Sequence, residues 1–399
     1  MKSENGAGKN PAQRSGGCME YRQIGNTGVM ASIIGMGGEH LDGKPYPQVE
    51  ATVRAALDAG VNHLDVFMPG QEVRRNIAKA LGDRRKDVTI QGHIGSTDVG
   101  QQYDISRDMP TVRKYFEDLL RIFGYIDFGM LFFIDSQKDY QGVFETPFID
   151  YALKLKEKGD IRHIGFSSHN PVMARQVIQT GLVEMMMFSI NLAFDLYPAQ
   201  VNALDQLNQG LSNEAFSGLD PQRAALYQLC ASKGVGITVM KTLGAGKLIS
   251  PEHTPFAQPM TVNQCLHYAL TRPGVASVML GYQSPQDVEK AMEYLSASQA
   301  QRDYTPVVGT LRSDFRGKCV YCGHCQPCPA GIDIAAVNKY LDIARLDPDH
   351  VPPSVRAHYM ALEHKGSQCL SCGRCQQRCP FGVDVIENMA QAARLFEGA

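Results

Sequence analysis

The chain has 399 residues, 44% of them hydrophobic and 20% charged, the proportions of a globular protein long enough for one large domain and a small one. Its 39 basic and 41 acidic side chains leave a formal net charge of −2, so no basic field points to nucleic acid or anionic lipid. No apolar run approaches the length that spans a membrane. Residues 1–18 are rich in Gly, Ser, Asn and Lys and lack an apolar signal core. They read as a disordered lead ahead of Met19, and a reducing cytoplasm is the expected location.

Residues 21–29, with Gly25-Asn26 between short extended pieces, predict a small hairpin. Beyond it, short β-rich runs alternate with amphipathic helical stretches. The predicted strands are 32–36, 63–67, 88–93, 128–134, 163–167, 184–190, 237–242 and 275–280. The predicted helices are 48–59, 72–81, 111–123, 148–158, 173–180, 223–233, 263–270 and 285–295. Glycines follow most of the early helices (Gly60, Gly82, Gly124, Gly159, Gly181, Gly234), as C-terminal caps do. Eight β-α pairs over about 250 residues predict an α/β (β/α)8 TIM barrel across residues 19–298, with the hairpin covering its floor. A doubly wound sheet is disfavoured because no G-x-G-x-x-G follows the first strand. Residues 195–220 break the rhythm with a long Asn-, Gln- and Ser-rich connection, expected to be a lid on the face that carries active sites.

Residues 299–316 read as a linker to a small, mostly α-helical domain over 317–399, with helices expected at 334–341 and 355–362. This domain carries eight of the eleven cysteines. They form two runs, Cys319-x2-Cys322-x2-Cys325-x2-Cys328-Pro329 and Cys369-x2-Cys372-x2-Cys375-x3-Cys379-Pro380. Three cysteines at this spacing followed by Cys-Pro is the ligand pattern of a bacterial-type [4Fe–4S] site, and two runs predict two clusters. In two-cluster ferredoxins the last cysteine of each run ligates the other cluster. On that pattern Cys319, Cys322, Cys325 and Cys379 hold one cluster, and Cys369, Cys372, Cys375 and Cys328 the other. Structural zinc favours two Cys pairs across a longer spacer, and disulfides suit small secreted domains, so both alternatives fit less well. Cys18, Cys230 and Cys265 are left over.

From Met19 onward the chain resembles the aldo/keto reductase superfamily, in particular its branch with a C-terminal ferredoxin-like domain. The resemblance rests on Tyr21-Arg22-Gln23-Ile24-Gly25-Asn26-Thr27-Gly28, Gly60-Val61-Asn62-His63-Leu64-Asp65, Ile161-Arg162-His163-Ile164-Gly165-Phe166-Ser167, Met240-Lys241-Thr242-Leu243 and the cysteine runs with Gly331-Ile332-Asp333-Ile334. It implies carbonyl reduction with NADPH by an Asp, Tyr, Lys, His tetrad at the C-terminal mouth of the barrel. Only Asp65 matches. Gly70 stands where the Tyr belongs, His93 where the Lys belongs and Phe132 where the His belongs. Of the nicotinamide-binding positions, the Ser-Asn pair becomes Ser167-Ser168 and the Gln becomes Met187. The adenine-reading Glu-Asn becomes Lys290-Ala291. Ser167, Lys241 and Ser284 remain as candidate cofactor contacts, so NADP(H) is an open expectation.

Polar residues expected at the mouth are Glu39, His40, Asp65, His93, Asp135, His169, Asn191 and Lys241. Asp65, His93 and His169 are the candidate catalytic set, with His93 held by Asp65 as an acid/base group titrating near neutrality. Three histidines with a carboxylate could also hold a mononuclear metal, although no paired motif supports it. Tyr103 and Tyr282 are alternative phenols, and Met185-Met186-Met187 reads as barrel packing. The expected function is an iron–sulfur oxidoreductase whose barrel binds a small organic substrate and passes electrons through the two clusters, with a possible redox partner protein. The competing readings are a non-redox lyase or isomerase with a repurposed mouth and a non-catalytic electron-carrier subunit.

Overall fold

The computed structural model describes residues 18–99, 102–214, 216–308 and 317–398. The chain opens with an antiparallel hairpin, β1 (Tyr21–Gln23) and β2 (Met30–Ser32). Then follow β3 (Ile34–Gly37), α1 (Tyr46–Asp58), β4 (His63–Val66), α2 (Gln71–Leu81), β5 (Thr89–Ile94), a second hairpin of β6 (Ser96–Val99) and β7 (Gln102–Ile105), and α3 (Met109–Phe123). The middle of the chain supplies β8 (Ile126–Leu131), α4 (Gln137–Phe144), α5 (Pro147–Lys158), β9 (Ile161–Ser168), α6 (Pro171–Gln179) and β10 (Met185–Ser189). After α7 (Leu192–Leu196), α8 (Ala203–Gln209) and α9 (Pro221–Lys233) come β11 (Gly236–Met240), α10 (Val262–Leu270), β12 (Val275–Gly281) and α11 (Pro285–Ser296). Strands β3, β4, β5, β8, β9, β10, β11 and β12 pair parallel in that order and close on themselves. This is the (β/α)8 barrel that the alternation predicts.

Most helices begin one or two residues earlier than hydrophobic periodicity suggests. Pro147, Pro171 and Pro221 occupy the first helical position behind Thr146, Asn170 and Asp220 caps. Proline there sacrifices no helical hydrogen bond, so the turn starts before the apolar stripe does.

The first hairpin plugs the floor. Ile24 and Ala31 pack against Phe128, Met130, Met185, Met187, Ala276 and Met279, and Asn26 N–H donates to Gly234 O at 2.8 Å. Gly25 has φ +50°, and a Cβ there would stand 2.2 Å from Gly234 O, so only glycine permits this approach. The connection over 195–220 holds α7 and α8 and is pinned rather than free. Buried Asp195 accepts from Arg223 Nε at 2.8 Å, Tyr227 Oη at 2.6 Å and Tyr268 Oη at 2.7 Å. Asp220 N–H closes the loop onto Asp195 O at 2.8 Å.

Of the expected linker, residues 299–308 form the short helices α12 (Gln299–Arg302) and α13 (Thr305–Val308), while 309–316 lie outside the described residues, as do residues 1–17 of the expected lead. The C-terminal region that follows is helical: α14 (Ile334–Ala344), α15 (Pro353–Met360), α16 (Arg374–Arg378) and α17 (Val385–Ala392). It is an internal repeat. Gly331-Ile332-Asp333 and Gly382-Val383-Asp384 each place a glycine at positive φ before an Asp that caps a helix, α14 or α17.

This region docks on the floor side of the barrel. Arg272, between the end of α10 and the start of β12, donates to Val320 O and to Tyr304 Oη (3.0 Å). Its guanidinium lies 4.4 Å from the Tyr268 ring and 5.1 Å from the Tyr321 ring. Val320, Cys322, Ile334 and Val337 belong to the same buried core as the barrel helices.

Candidate active site and cysteine centres

At the mouth, β4 and β5 lie side by side in register, pairing Asp65 with Gln91. Residues two apart on a strand share a face, so His63 and Asp65 line the interior next to Gln91 and His93. His93 Nε2 lies 2.7 Å from Asp65 Oδ1, and both residues are 3% exposed. Gln91 Nε2 donates to the same carboxylate oxygen at 2.8 Å and reaches Met187 Sδ at 3.2 Å. Gln91 Oε1 accepts from Thr238 Oγ1 at 3.2 Å and faces His63 Nε2 at 3.1 Å.

These contacts orient the Gln91 amide. A flipped Gln91 amide would set its oxygen against the Asp65 carboxylate, so its N–H faces Asp65 and its carbonyl accepts from His63 Nε2–H. Burial depresses the His63 pKa, and its Nδ1 lies 2.6 Å from Thr89 Oγ1. His93 places Nε2 against Asp65 Oδ1, which turns its other ring nitrogen, Nδ1, away from the carboxylate. Nδ1 is buried and has no hydrogen-bond partner. Around it stand the edges of Phe132 (ring centroids 5.2 Å apart) and Phe67 (6.1 Å). Tyr103, on β7, packs 5.2 Å from Phe67. The mouth therefore presents one unpartnered ring nitrogen, oriented from behind by a carboxylate and walled by aromatic rings.

His169 does not join this pair. It forms a second dyad, donating Nδ1–H to Asp135 Oδ2 at 2.9 Å and its backbone N–H to Asp135 Oδ1 at 2.6 Å. Burial alone would raise the Asp135 carboxyl, but His169 and the Ser168 hydroxyl (2.8 Å) hold it below its ordinary value. Phe132 and Phe133 stand between the two histidines. Among the described residues no three His, Cys, Asp or Glu side chains close on a point as ligands of a single metal ion do.

The other candidates have local duties. Ser167 Oγ accepts from Phe133 N–H at 2.9 Å. Ser284 caps α11, its N–H and hydroxyl each donating to Asp287 Oδ2 at 3.1 Å. Lys241 follows β11 at φ +61°, and its carbonyl accepts from Asn191 Nδ2 at 2.9 Å. Tyr282 is buried against Gly35 O, and burial pushes its phenol far up. Tyr103 is raised too, by burial and then by Glu39. Neither phenol is activated as an acid.

The cysteines gather around two adjoining cavities. The inner one, about 340 Å³ including space open to solvent, is lined by Cys319, Cys322, Cys325 and Cys379. The outer one, about 390 Å³ on the same measure, is lined by Cys328, Cys369, Cys372 and Cys375, with Cys325 in the shared wall. In each loop the residue two after the first cysteine, Tyr321 or Ser371, has positive φ (58° and 49°). That conformation turns its N–H to the sulfur behind it, as Ser371 N–H does toward Cys369 Sγ at 3.4 Å and Tyr321 N–H toward Cys319. Burial pushes the Cys322 thiol up to about 11 and Cys325 up to about 12. A thiolate in such surroundings needs N–H donors and a cationic ligand. Four thiols spread around a cavity could hold a polynuclear cluster.

The profile of the Aldo/keto reductase family matches residues 33–261. The chain belongs to the aldo/keto reductase family. Among curated proteins it is 26% identical to L-galactose dehydrogenase of Arabidopsis thaliana over 303 residues, 68% of this chain and 86% of that protein. Solved structures share the fold. Aldo-keto reductase AKR11C1 from Bacillus halodurans, in its holo form, superposes with a TM-score of 0.54 at 18% identity, covering 71% of this chain and 94% of its own. PA4992 of Pseudomonas aeruginosa gives 0.52 at 19%, covering 69% and 96%.

In this oxidoreductase barrel the residues around the mouth have contacts of their own. Gly70 is spent as the N-cap of α2. Phe132 packs edge-to-face on His93. Gln91, which no motif singled out, connects His63 to Asp65; its signal was the two-residue spacing from His93 on one strand face. Among the described residues, no helix is long and apolar enough to cross a membrane.

Proposed function

We propose that this family member is an oxidoreductase acting on a hydroxyl or carbonyl carbon of a small organic substrate, with His93 as its proton-transfer group. The observation that carries the reading is the unpartnered, buried Nδ1 of His93 behind the Asp65 hydrogen bond. A substrate hydroxyl placed in the aromatic pocket would surrender its proton to Nδ1, and the imidazolium so formed would return a proton to the substrate oxygen. Asp65 offsets the positive charge that forms on the ring. A positioned acid/base of this kind contributes about 100- to 10,000-fold.

Family membership implies NADP(H), which would supply hydride. The residues at the nicotinamide amide position do not fit it: Ser167 and Ser168 are engaged with the backbone after β8 and with Asp135, and Met187 offers a thioether to Gln91. No step is therefore routed through it. For the C-terminal region we propose two [4Fe–4S] clusters, Cys319, Cys322, Cys325 and Cys379 holding the inner and Cys369, Cys372, Cys375 and Cys328 the outer. Support comes from the two four-cysteine cavities and their N–H donors. Bound there, the clusters would supply one-electron storage and transfer.

The floor-side docking favours exchange between the clusters and another protein over direct contact with the mouth. The seven residues of β12 alone set the two ends of the barrel about 20 Å apart. The lost amide clasp favours a second reading, proton transfer without net redox at the same His93. Titration with NADPH and NADH, followed by turnover assays of His93→Ala and Asp65→Ala, tests both. Loss of turnover in both variants is the expected result, and unchanged turnover in both removes His93 from the chemistry. Product formed with no change in the redox state of nicotinamide or cluster selects the second reading.

A further inference from the structure

We propose that the outer cysteine loop is the docking face for an acidic one-electron carrier protein, with Leu370 as its apolar anchor. The inference rests on the reading of the cysteine groups as iron–sulfur clusters, and it starts from the internal repeat. Val320 and Leu370 occupy the same position in the two loops, one residue after the first cysteine. Val320 is 3% exposed, because its loop is pressed on the barrel, with its carbonyl taken by Arg272 and Tyr304. Leu370 is 67% exposed, the most of any large hydrophobic side chain among the described residues. Cys322 is buried and its counterpart Cys372 is exposed. The same motif is thus covered by protein at one site and bare at the other.

The bare face has a defined chemistry. Leu370 lines the outer cavity as well as the surface, so a partner touching it stands one side chain from the centre. From Gly366 to Val383 the chain contains no carboxylate, and its charged residues are Arg374 and Arg378, preceded by Lys365. Arg374 is exposed, while Arg378 is partly buried and donates to Pro327 O at 2.8 Å, tying the two loops together. The flanking acids are engaged: Asp384 caps α17 and accepts from Gln376, and Glu397 accepts from Ser367 and Tyr359. Exposed Glu363 is the exception, with its carboxylate 3.9 Å from His364. An apolar tip in a cationic setting suits a partner with an apolar spot ringed by carboxylates, and opposite charge speeds such an encounter. One electron would pass from the carrier to the outer centre and then across the wall shared at Cys325 to the inner one. The carrier is oxidised by one electron as the clusters are reduced by one.

The test uses the full-length, iron-reconstituted protein under anaerobic conditions, with reduced flavodoxin as the acidic probe and loss of cluster absorbance as the readout. The second-order rate should fall as salt rises, and it should drop about tenfold or more in Leu370→Asp and in Arg374→Glu at unchanged iron content. Rates insensitive to salt and to both substitutions, with dithionite still bleaching the clusters, would overturn the docking face alone. If the wild-type protein retains no iron, the cluster reading fails and the docking face with it. A dimer that Leu370→Asp dissociates would overturn the proposal in favour of a second copy as the occupant.

Discussion

The barrel mouth and the cysteine domain use their reactive side chains in opposite ways. At the mouth, Asp65, Gln91 and His93 come from neighbouring strands, are sealed under aromatic rings and leave a single nitrogen free. In the cysteine domain the groups come from two copies of one short motif, and the copies differ most in what covers them. The mouth owes its chemistry to neighbours across the sheet, the cysteine centres to local spacing within each run and one cysteine lent by the other run. A substitution should therefore act through protonation in the first region and, with the proposed clusters bound, through iron content and folding in the second.

The largest effect should come from Cys322→Ser, because its loop is part of the core shared with the barrel. It should lose about half the iron and lower the thermal midpoint, whereas Cys372→Ser should lose similar iron with a much smaller change in midpoint. Equal midpoints would show that the two centres are equally remote from the barrel core. Next is His93→Gln, expected to cut turnover about 100- to 10,000-fold with iron unchanged. Loss of iron in that variant would join the two regions that the fold separates. Arg272→Met removes the fastening between them and leaves Val320 O and Tyr304 short of a buried donor. A cost of about 1–3 kcal/mol in chemical denaturation is expected, with faster loss of inner iron to a chelator.

The smallest effect concerns pH. Burial lowers the His63 pKa from its ordinary value near 6.5. A base depressed in this way contributes its full stability above that value and loses it as pH falls, because the unfolded chain then takes up a proton that the folded chain refuses. His63→Gln should flatten the fall in stability below about pH 6.5. A slope identical to wild type would mean that the interior imidazole is already charged in the folded protein.

Eight strands, their order and most helices were legible because period-two and helical patterns are local, and glycine and proline punctuate them. The hairpin β6–β7 and helices α4, α7 and α8 were not, since none carries a long apolar stripe; tertiary contacts such as those to Asp195 hold that connection. The pairing of His93 with Asp65 was anticipated, but the grouping of His169 with them was not upheld by position, because Phe132 and Phe133 intervene. Gln91 and the aromatic wall escaped notice because a polar residue inside a strand acquires meaning only from the strand beside it.

The sequence by itself determined the barrel and the two cysteine runs, since these follow from spacing along one chain. Tertiary structure alone decided which nitrogen of His93 is left without a partner, which cysteine loop is covered and which is bare, and that the cysteine domain sits at the floor. Those outcomes depend on contacts between segments far apart in sequence, where burial and register, rather than local pattern, choose the partner.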